Sequence, residues 1–283
     1  MHQTTEHRGL LRIYTKTEYV ETLSNWISEA FTIPAVETHT PHSPTVQLDS
    51  YFDTRLQAEI ALRALPDSLP PFQAEAIDMS AETWTTFWQH HFKTEEIGNH
   101  LRIVPYWKEA PQDERKNLLI NPGLSFGTGG HFTTRFCLEQ LEIAIEQRAP
   151  SSLIDAGSGS GILSIAGAKL GITSITSFDI DPIAVDQAKT NATLNNVDLH
   201  FNPADLLNSA WMLPKADLLC ANILSNVLIK TAPKLMAATQ QRLILSGIQI
   251  SEVEQVAEVY TRAGGKEVTR LTDGTWCGLV MDK

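Results

Sequence analysis

The sequence predicts an α/β protein built on a doubly wound parallel sheet, preceded by a small α+β domain. Three observations carry that expectation. From Pro150 onward, apolar runs alternate regularly with helical stretches. A glycine-rich turn, DAGSGSG at Asp155 to Gly161, follows the apolar Ser152-Leu153-Ile154 and opens a helix. The first eighty residues read strand, helix, strand, strand, helix, strand, which is the ferredoxin-like order.

Leu10 to Tyr14 reads as a strand. Glu18 to Phe31 reads as a helix, with Val20, Leu23, Trp26, Ile27 and Ala30 near helical spacing and Pro34 as its stop. Val36 to Thr40 and Thr45 to Phe52 are short strands on either side of the turn Pro41 to Pro44. Thr54 to Leu65 is helical and ends before Pro66, and Phe72 to Ile77 closes a domain over residues 1–80. Residues 81–95 form a helical linker in which Trp84, Phe87, Trp88 and Phe92 recur at spacings of three and four, the pattern of a packing face.

Residues 96–283 form the larger domain. Strands Leu101 to Trp107 and Asn117 to Ile120 flank a charged loop, and the glycine-dense NPGLSFGTGGHFTT of Asn121 to Thr134 leads into a helix through Gln147. Beyond Pro150 the strands are Ser152 to Ile154, Ile175 to Phe178, Ala216 to Ala221 and Arg242 to Ser246. The helices between and after them are Ile162 to Leu170, Pro182 to Leu194, Asn226 to Ala237 and Glu252 to Arg262, and a hairpin around Asp273-Gly274 ends the run.

At 283 residues with 42% hydrophobic side chains, the chain has apolar material for two cores. The opening MHQTTEHRGL lacks the apolar stretch of a secretory signal, and no run approaches the roughly 20 residues that span a bilayer. A cytoplasmic monomer without membrane contact is expected. Cys137, Cys220 and Cys277 are far apart and lack CxxC spacing, so each is expected to be a small buried hydrophobe. The nine histidines show no ligand spacing, and no metal is expected. A formal net charge of −11 opposes stable nucleic-acid binding and favours a basic protein partner.

In doubly wound sheets ligands bind beyond the carboxyl ends of the strands, where Asp155, Asp179 and Asn222 all fall. Gly157, Gly159 and Gly161 space as GxGxG, and Ile162 stands where the last glycine of a dinucleotide fingerprint would fall. A turn led by the carboxylate of Asp155 suits a cofactor with a sulfonium and an ammonium group, so S-adenosylmethionine fits better than NAD. Asp179 is placed to bridge ribose hydroxyls. Asn222 either accepts hydrogen bonds from an amine without protonating it or caps the next helix. Thr133 and Thr134 are candidates to cap their helix and offer hydroxyls to the cofactor, beside Phe126, Gly127, Gly129 and Gly130 of a flexible loop. His131 is either a substrate contact or a locally bonded loop residue. Asp205 is either an adenine contact or a solvated turn residue.

The motifs PGLSFGTGGHFTT (Pro122 to Thr134), DAGSGSGILSIAGAKLG (Asp155 to Gly171), FDIDPIAV (Phe178 to Val185), ANIL (Ala221 to Leu224) and LSGI (Leu245 to Ile248) resemble the PrmA-type protein methyltransferases. Those enzymes modify protein eleven of the large ribosomal subunit. The resemblance covers about Trp84 to the C-terminal end and implies a class I S-adenosylmethionine-dependent methyltransferase fold. It also implies a basic ribosomal protein as substrate, with lysine side chains and the N-terminal amine as acceptors. Residue by residue, Thr134, Gly157 and Asp179 become cofactor contacts, and Asn222 stands beside the transferring methyl. The small N-terminal domain is implied to recognise substrate. Phe132, Asn121 and Ser158 depart from the common pattern. Two other functions share these residues: methylation of a different protein or small amine, and a noncatalytic protein-binding module.

Overall fold

The computed structural model of the chain describes residues 8–31, 33, 35–39, 44–52, 54–66, 68–79, 92–121 and 130–283. The expected linker helix with Trp84, Phe87 and Trp88, and Phe126, Gly127 and Gly129 of the loop, lie outside the described residues. The chain divides into two units, Met1–Phe92 and Lys93–Lys283.

In the first unit, β1 (Arg8–Lys16), β2 (Val36–His39), β3 (Thr45–Phe52) and β4 (Phe72–Met79) alternate with α1 (Val20–Phe31) and α2 (Arg55–Ala64). The strands form one antiparallel sheet in the order β2-β3-β1-β4, the ferredoxin-like arrangement. Alternate residues Leu11 and Ile13 of β1 and Val46 and Leu48 of β3 point to one face. They pack there with Leu23 and Ile27 of α1 and Ala58 and Ala61 of α2. A short 3₁₀ turn, Thr17–Tyr19, takes the start of the expected first helix. Thr54 and Gln57 cap α2 reciprocally, each side chain accepting from the other's backbone N–H.

The second unit opens with a small sheet, β5 (Glu95–Ile97), β6 (Leu101–Pro105) and β7 (Lys116–Ile120), followed by α3 (Phe132–Arg148). The doubly wound part then runs β8 (Ser152–Ala156), α4 (Ile162–Lys169), β9 (Ser174–Asp179), α5 (Pro182–Leu194), β10 (Phe201–Pro203), β11 (Ala216–Asn222) and α6 (Ser225–Ala238). It ends with β12 (Thr239–Gln249), α7 (Val253–Arg262), β13 (Lys266–Thr272) and β14 (Trp276–Asp282). The sheet order is β10-β9-β8-β11-β12-β14-β13. Pairing is parallel from β10 through β12 and antiparallel in the last two pairs.

Alternation along β11 shows why the sheet has two covered faces. Leu218 and Cys220 join a core with residues of α3, α4 and α5, whereas Leu219 and Ala221 join a core with α6 and α7. A leucine buried to this degree contributes about 2 kcal/mol. All three cysteines are buried and free.

Side-chain amides and a carboxylate tie the small sheet to the helices. Asn195 receives the Leu119 N–H at 2.9 Å and returns its own amide to the Leu119 carbonyl at 2.6 Å. One turn earlier on α5, Asn191 accepts the Asn121 N–H at 2.8 Å, and Gln187 donates to the Asn121 carbonyl at 3.0 Å. On α3, the buried Glu142 accepts the Asn99 and His100 N–H groups of the β5–β6 turn at 2.7 and 2.6 Å.

Replacing Glu142 by alanine orphans both turn amides. Denaturant unfolding of Glu142→Ala is expected to show a loss of about 2 kcal/mol. An unchanged midpoint would mean that water satisfies the turn equally well.

Candidate active site

The carboxyl ends of β9, β8 and β11 are adjacent and level, so the tips carrying Asp179, Asp155 and Asn222 belong to one edge of the sheet. The glycine turn leaves β8 and is held to β9 at once. The N–H groups of Gly157 and Ser158 both donate to the Phe178 carbonyl at 2.9 Å. The Gly159 N–H donates to Asp179 Oδ2 at 2.8 Å, and the Asp181 N–H to Asp179 Oδ1 at 3.0 Å.

Two glycines meet one residue of the neighbouring strand end. At Gly157, with φ +78°, a Cβ would come within 2.3 Å of the Ile223 side chain. At Gly247, also at φ +78°, it would come within 2.6 Å of the Ile223 carbonyl oxygen. The Ile223 N–H donates to the Ser246 carbonyl at 3.2 Å. Ile223 is therefore enclosed on both sides, which fixes Asn222 just before it. Asn222 does not cap α6, whose N-cap is Leu224 without a side-chain hydrogen bond. Its Nδ2 instead lies 3.5 Å from Thr134 Oγ1, across from the first turn of α3.

Thr133 and Thr134 do not cap α3 either. The cap is His131, whose Nδ1 accepts from the Thr133 N–H at 3.3 Å and lies 2.7 Å from Thr133 Oγ1. An accepting Nδ1 assigns the proton to Nε2 in the neutral ring. Burial lowers the His131 pKa, opposed by Asp273, which favours that neutral form. The ring also meets Trp276 edge-on at 5.3 Å. Both threonines are buried within the first turn. Asp205 is exposed and accepts the Leu207 N–H at 2.8 Å, the geometry of a turn residue.

Asp155 lies under the glycine turn, fully buried, rather than open on the crevice. Its Oδ2 accepts from Ser164 N and Oγ at 3.1 and 2.6 Å. Burial pushes its pKa up to about 6, against the lowering effect of the Ser164 bonds. Five buried polar atoms at this end of the sheet have no hydrogen-bond partner among the described residues: Asp155 Oδ1, Ser158 Oγ, Asn222 Oδ1, Ser225 Oγ and Ser246 Oγ, the last level with Asn222 on β12. Two of them, the Asp155 and Asn222 oxygens, can only accept, and buried acceptors want donors. A nucleoside cofactor with an ammonium group, together with an amine, carries such donors, so the residues present fit S-adenosylmethionine. Ser158, Ser164 and Gly247 were not singled out as site residues, because serine in a turn and glycine after a strand carry no chemical signature. The described residues contain no cluster of metal-ligating side chains.

A family model described as "Ribosomal protein L11 methyltransferase (PrmA)" matches residues 12–283. A ribosomal protein L11 methyltransferase of Geobacter sulfurreducens is 35% identical over 271 residues, covering 91% of this chain and 87% of the relative. One from Thiobacillus denitrificans is 42% identical over 195 residues, covering 66% of this chain and 64% of its own length. The crystal structure of a ribosomal protein L11 methylase from Lactobacillus delbrueckii subsp. bulgaricus aligns with TM-score 0.61 and 30% identity, covering 67% of this chain and 98% of that chain.

The Asp155 environment generates a pH signature in the ligand-free chain. With the folded pKa at about 6, above the ordinary carboxyl value of 3.8, Asp155 favours the native state below the lower value, and that stability is lost as pH rises through the upper one. Asp155→Asn is expected to match the parent near pH 4 and to exceed it by roughly 3 kcal/mol at pH 8. Parallel denaturant curves at the two pH values check this, and a constant difference between them would refute it.

Proposed function

The chain belongs to the ribosomal protein L11 methyltransferase family, and we propose that it transfers methyl groups from S-adenosylmethionine to amino groups of that ribosomal protein. The observation that carries the reading is the shared edge: a held carboxylate at Asp179, a glycine turn, and an unpaired amide oxygen at Asn222 on three neighbouring strand ends.

When bound, S-adenosylmethionine supplies an electrophilic methyl on a cationic sulfur, which a neutral amine displaces in line. Asp179 accepts the ribose hydroxyls with the lone pairs its two backbone partners leave over. Gly157 and Gly159 let the backbone come close to the ligand. Thr134 offers its hydroxyl from the first turn of α3, and Asp155 balances positive charge from beneath the turn. Asn222 Oδ1 accepts a hydrogen bond from the incoming amine and, having no proton affinity at neutral pH, leaves the nitrogen lone pair free. A lysine normally titrates near 10.4, and desolvation in the crevice lowers that value toward the neutral form. No dedicated base is required, which agrees with His131 being engaged as a helix cap.

The first unit is assigned to substrate recognition. The formal charge of −11 supports a basic protein partner over nucleic acid. No described helix is long and apolar enough to cross a membrane, and a ribosomal protein as substrate supports a cytoplasmic site of action. One chain carries every residue named here, which supports a functional monomer.

Two measurements separate the roles. By calorimetry, Asp179→Ala is expected to raise the Kd for S-adenosylmethionine about tenfold or more, one lost pair of hydrogen bonds. Asn222→Ala is expected to keep that Kd and slow transfer about a hundredfold; equal loss of binding in both would make Asn222 a cofactor anchor. With labelled methyl donor and an unmethylated mixture of ribosomal proteins, label is expected on one small basic protein. Label elsewhere would reassign the substrate to another protein or a small amine.

A further inference from the structure

The segment after β10 has little regular structure, yet it is held firmly by one side chain from α6. Lys234 Nζ donates to the Leu206 carbonyl at 3.0 Å and to the Asn208 carbonyl at 2.9 Å. The same ammonium lies 5.1 Å from the centroid of the Trp211 ring. Trp211 meets Phe178 edge-on at 4.5 Å. Phe178 is the residue whose carbonyl takes both glycine-turn amides, and the next carbonyl, that of Asp179, takes the Ala204 N–H at 2.8 Å. One lysine on the helix following Asn222 thus ties residues 205–211 to β9 and, through β9, to the glycine turn.

The sheet order says what that tie serves. From β11 through β8 and β9 to β10, neighbouring tips are about 4.8 Å apart, so the row spans about 14 Å, comparable to an extended nucleoside cofactor. With its methyl end at Asn222 and its ribose at Asp179, such a ligand extends its base over the end of β10, where Asp205 and Leu207 are exposed. We infer that Lys234 is a positioning residue for the nucleobase half of the cofactor, holding the segment after β10 in place through two carbonyls and the Trp211 face. The inference rests on the cofactor reading above. A purely structural clamp would lower stability and leave ligand affinity alone.

Calorimetry on the full chain with S-adenosylhomocysteine and with methylthioadenosine, which lacks the amino-acid half, tests the assignment. Lys234→Met keeps the side-chain length and removes the donors; it is expected to raise both Kd values by the same factor, about tenfold. Lys234→Arg restores them, because a guanidinium can donate to both carbonyls and stack on tryptophan. Trp211→Leu is expected to act in the same direction as Lys234→Met and serves as the test should that variant fail to fold. A folded Lys234→Met or Trp211→Leu with both Kd values unchanged overturns the inference, as does weakening confined to S-adenosylhomocysteine. If the unaltered chain binds neither ligand, the cofactor reading falls and this inference with it.

Discussion

Two backbone amides converge on one carbonyl, and the geometry of the site depends on that convergence. Parallel strands have no hairpin to join them, so the turn leaving β8 needs another means of staying beside β9. The Phe178 carbonyl provides it by accepting from both Gly157 and Ser158. Once the turn is pinned there, the Gly159 amide falls onto the Asp179 carboxylate. The left-handed backbone of Gly157 then leaves room for Ile223 from the other neighbouring strand. Three strand ends are thereby locked to one another by backbone amides, one carboxylate and the space a glycine leaves for Ile223, and the functional side chains ride on them.

Asp155 shows how such an edge is supported from below. A carboxylate with no exposure is costly to ionise, and the two Ser164 bonds offset only part of that cost. The residue is therefore poised for positive charge arriving above it. Its orphaned oxygen and that of Asn222 on the adjacent strand are the same kind of feature: acceptors buried ahead of their donors. Both lower the stability of the ligand-free chain in exchange for a site already formed.

The parts of this arrangement legible in the sequence were those with a periodic or positional signature. Asp179 and Asn222 could be placed because a carboxylate or amide directly after an apolar run in a parallel sheet stands at its carboxyl end. The doubly wound order was legible because its strands are apolar throughout and its helices are bounded by Pro182, Gly161 and similar marks. The strands β5 and β10 were missed: each is three residues long, too short for alternation to register. The cap of α3 was misplaced because His131, rather than a threonine, turns its ring back onto the Thr133 amide. Lys234 gave no signal at all, since its partners are backbone carbonyls 26 and 28 residues away and any lysine on a helix looks solvated.

The amides of α5 have an effect unrelated to catalysis. In its three-stranded sheet β7 is an outer strand, and an outer strand offers open backbone groups to any passing polypeptide. Asn195 meets both the N–H and the carbonyl of Leu119, while Asn191 and Gln187 do the same for Asn121. Side chains on a helix thus stand in for an additional strand and seal the border of the sheet. Self-association through that border is blocked by three carboxamides, spaced four residues apart along one helix.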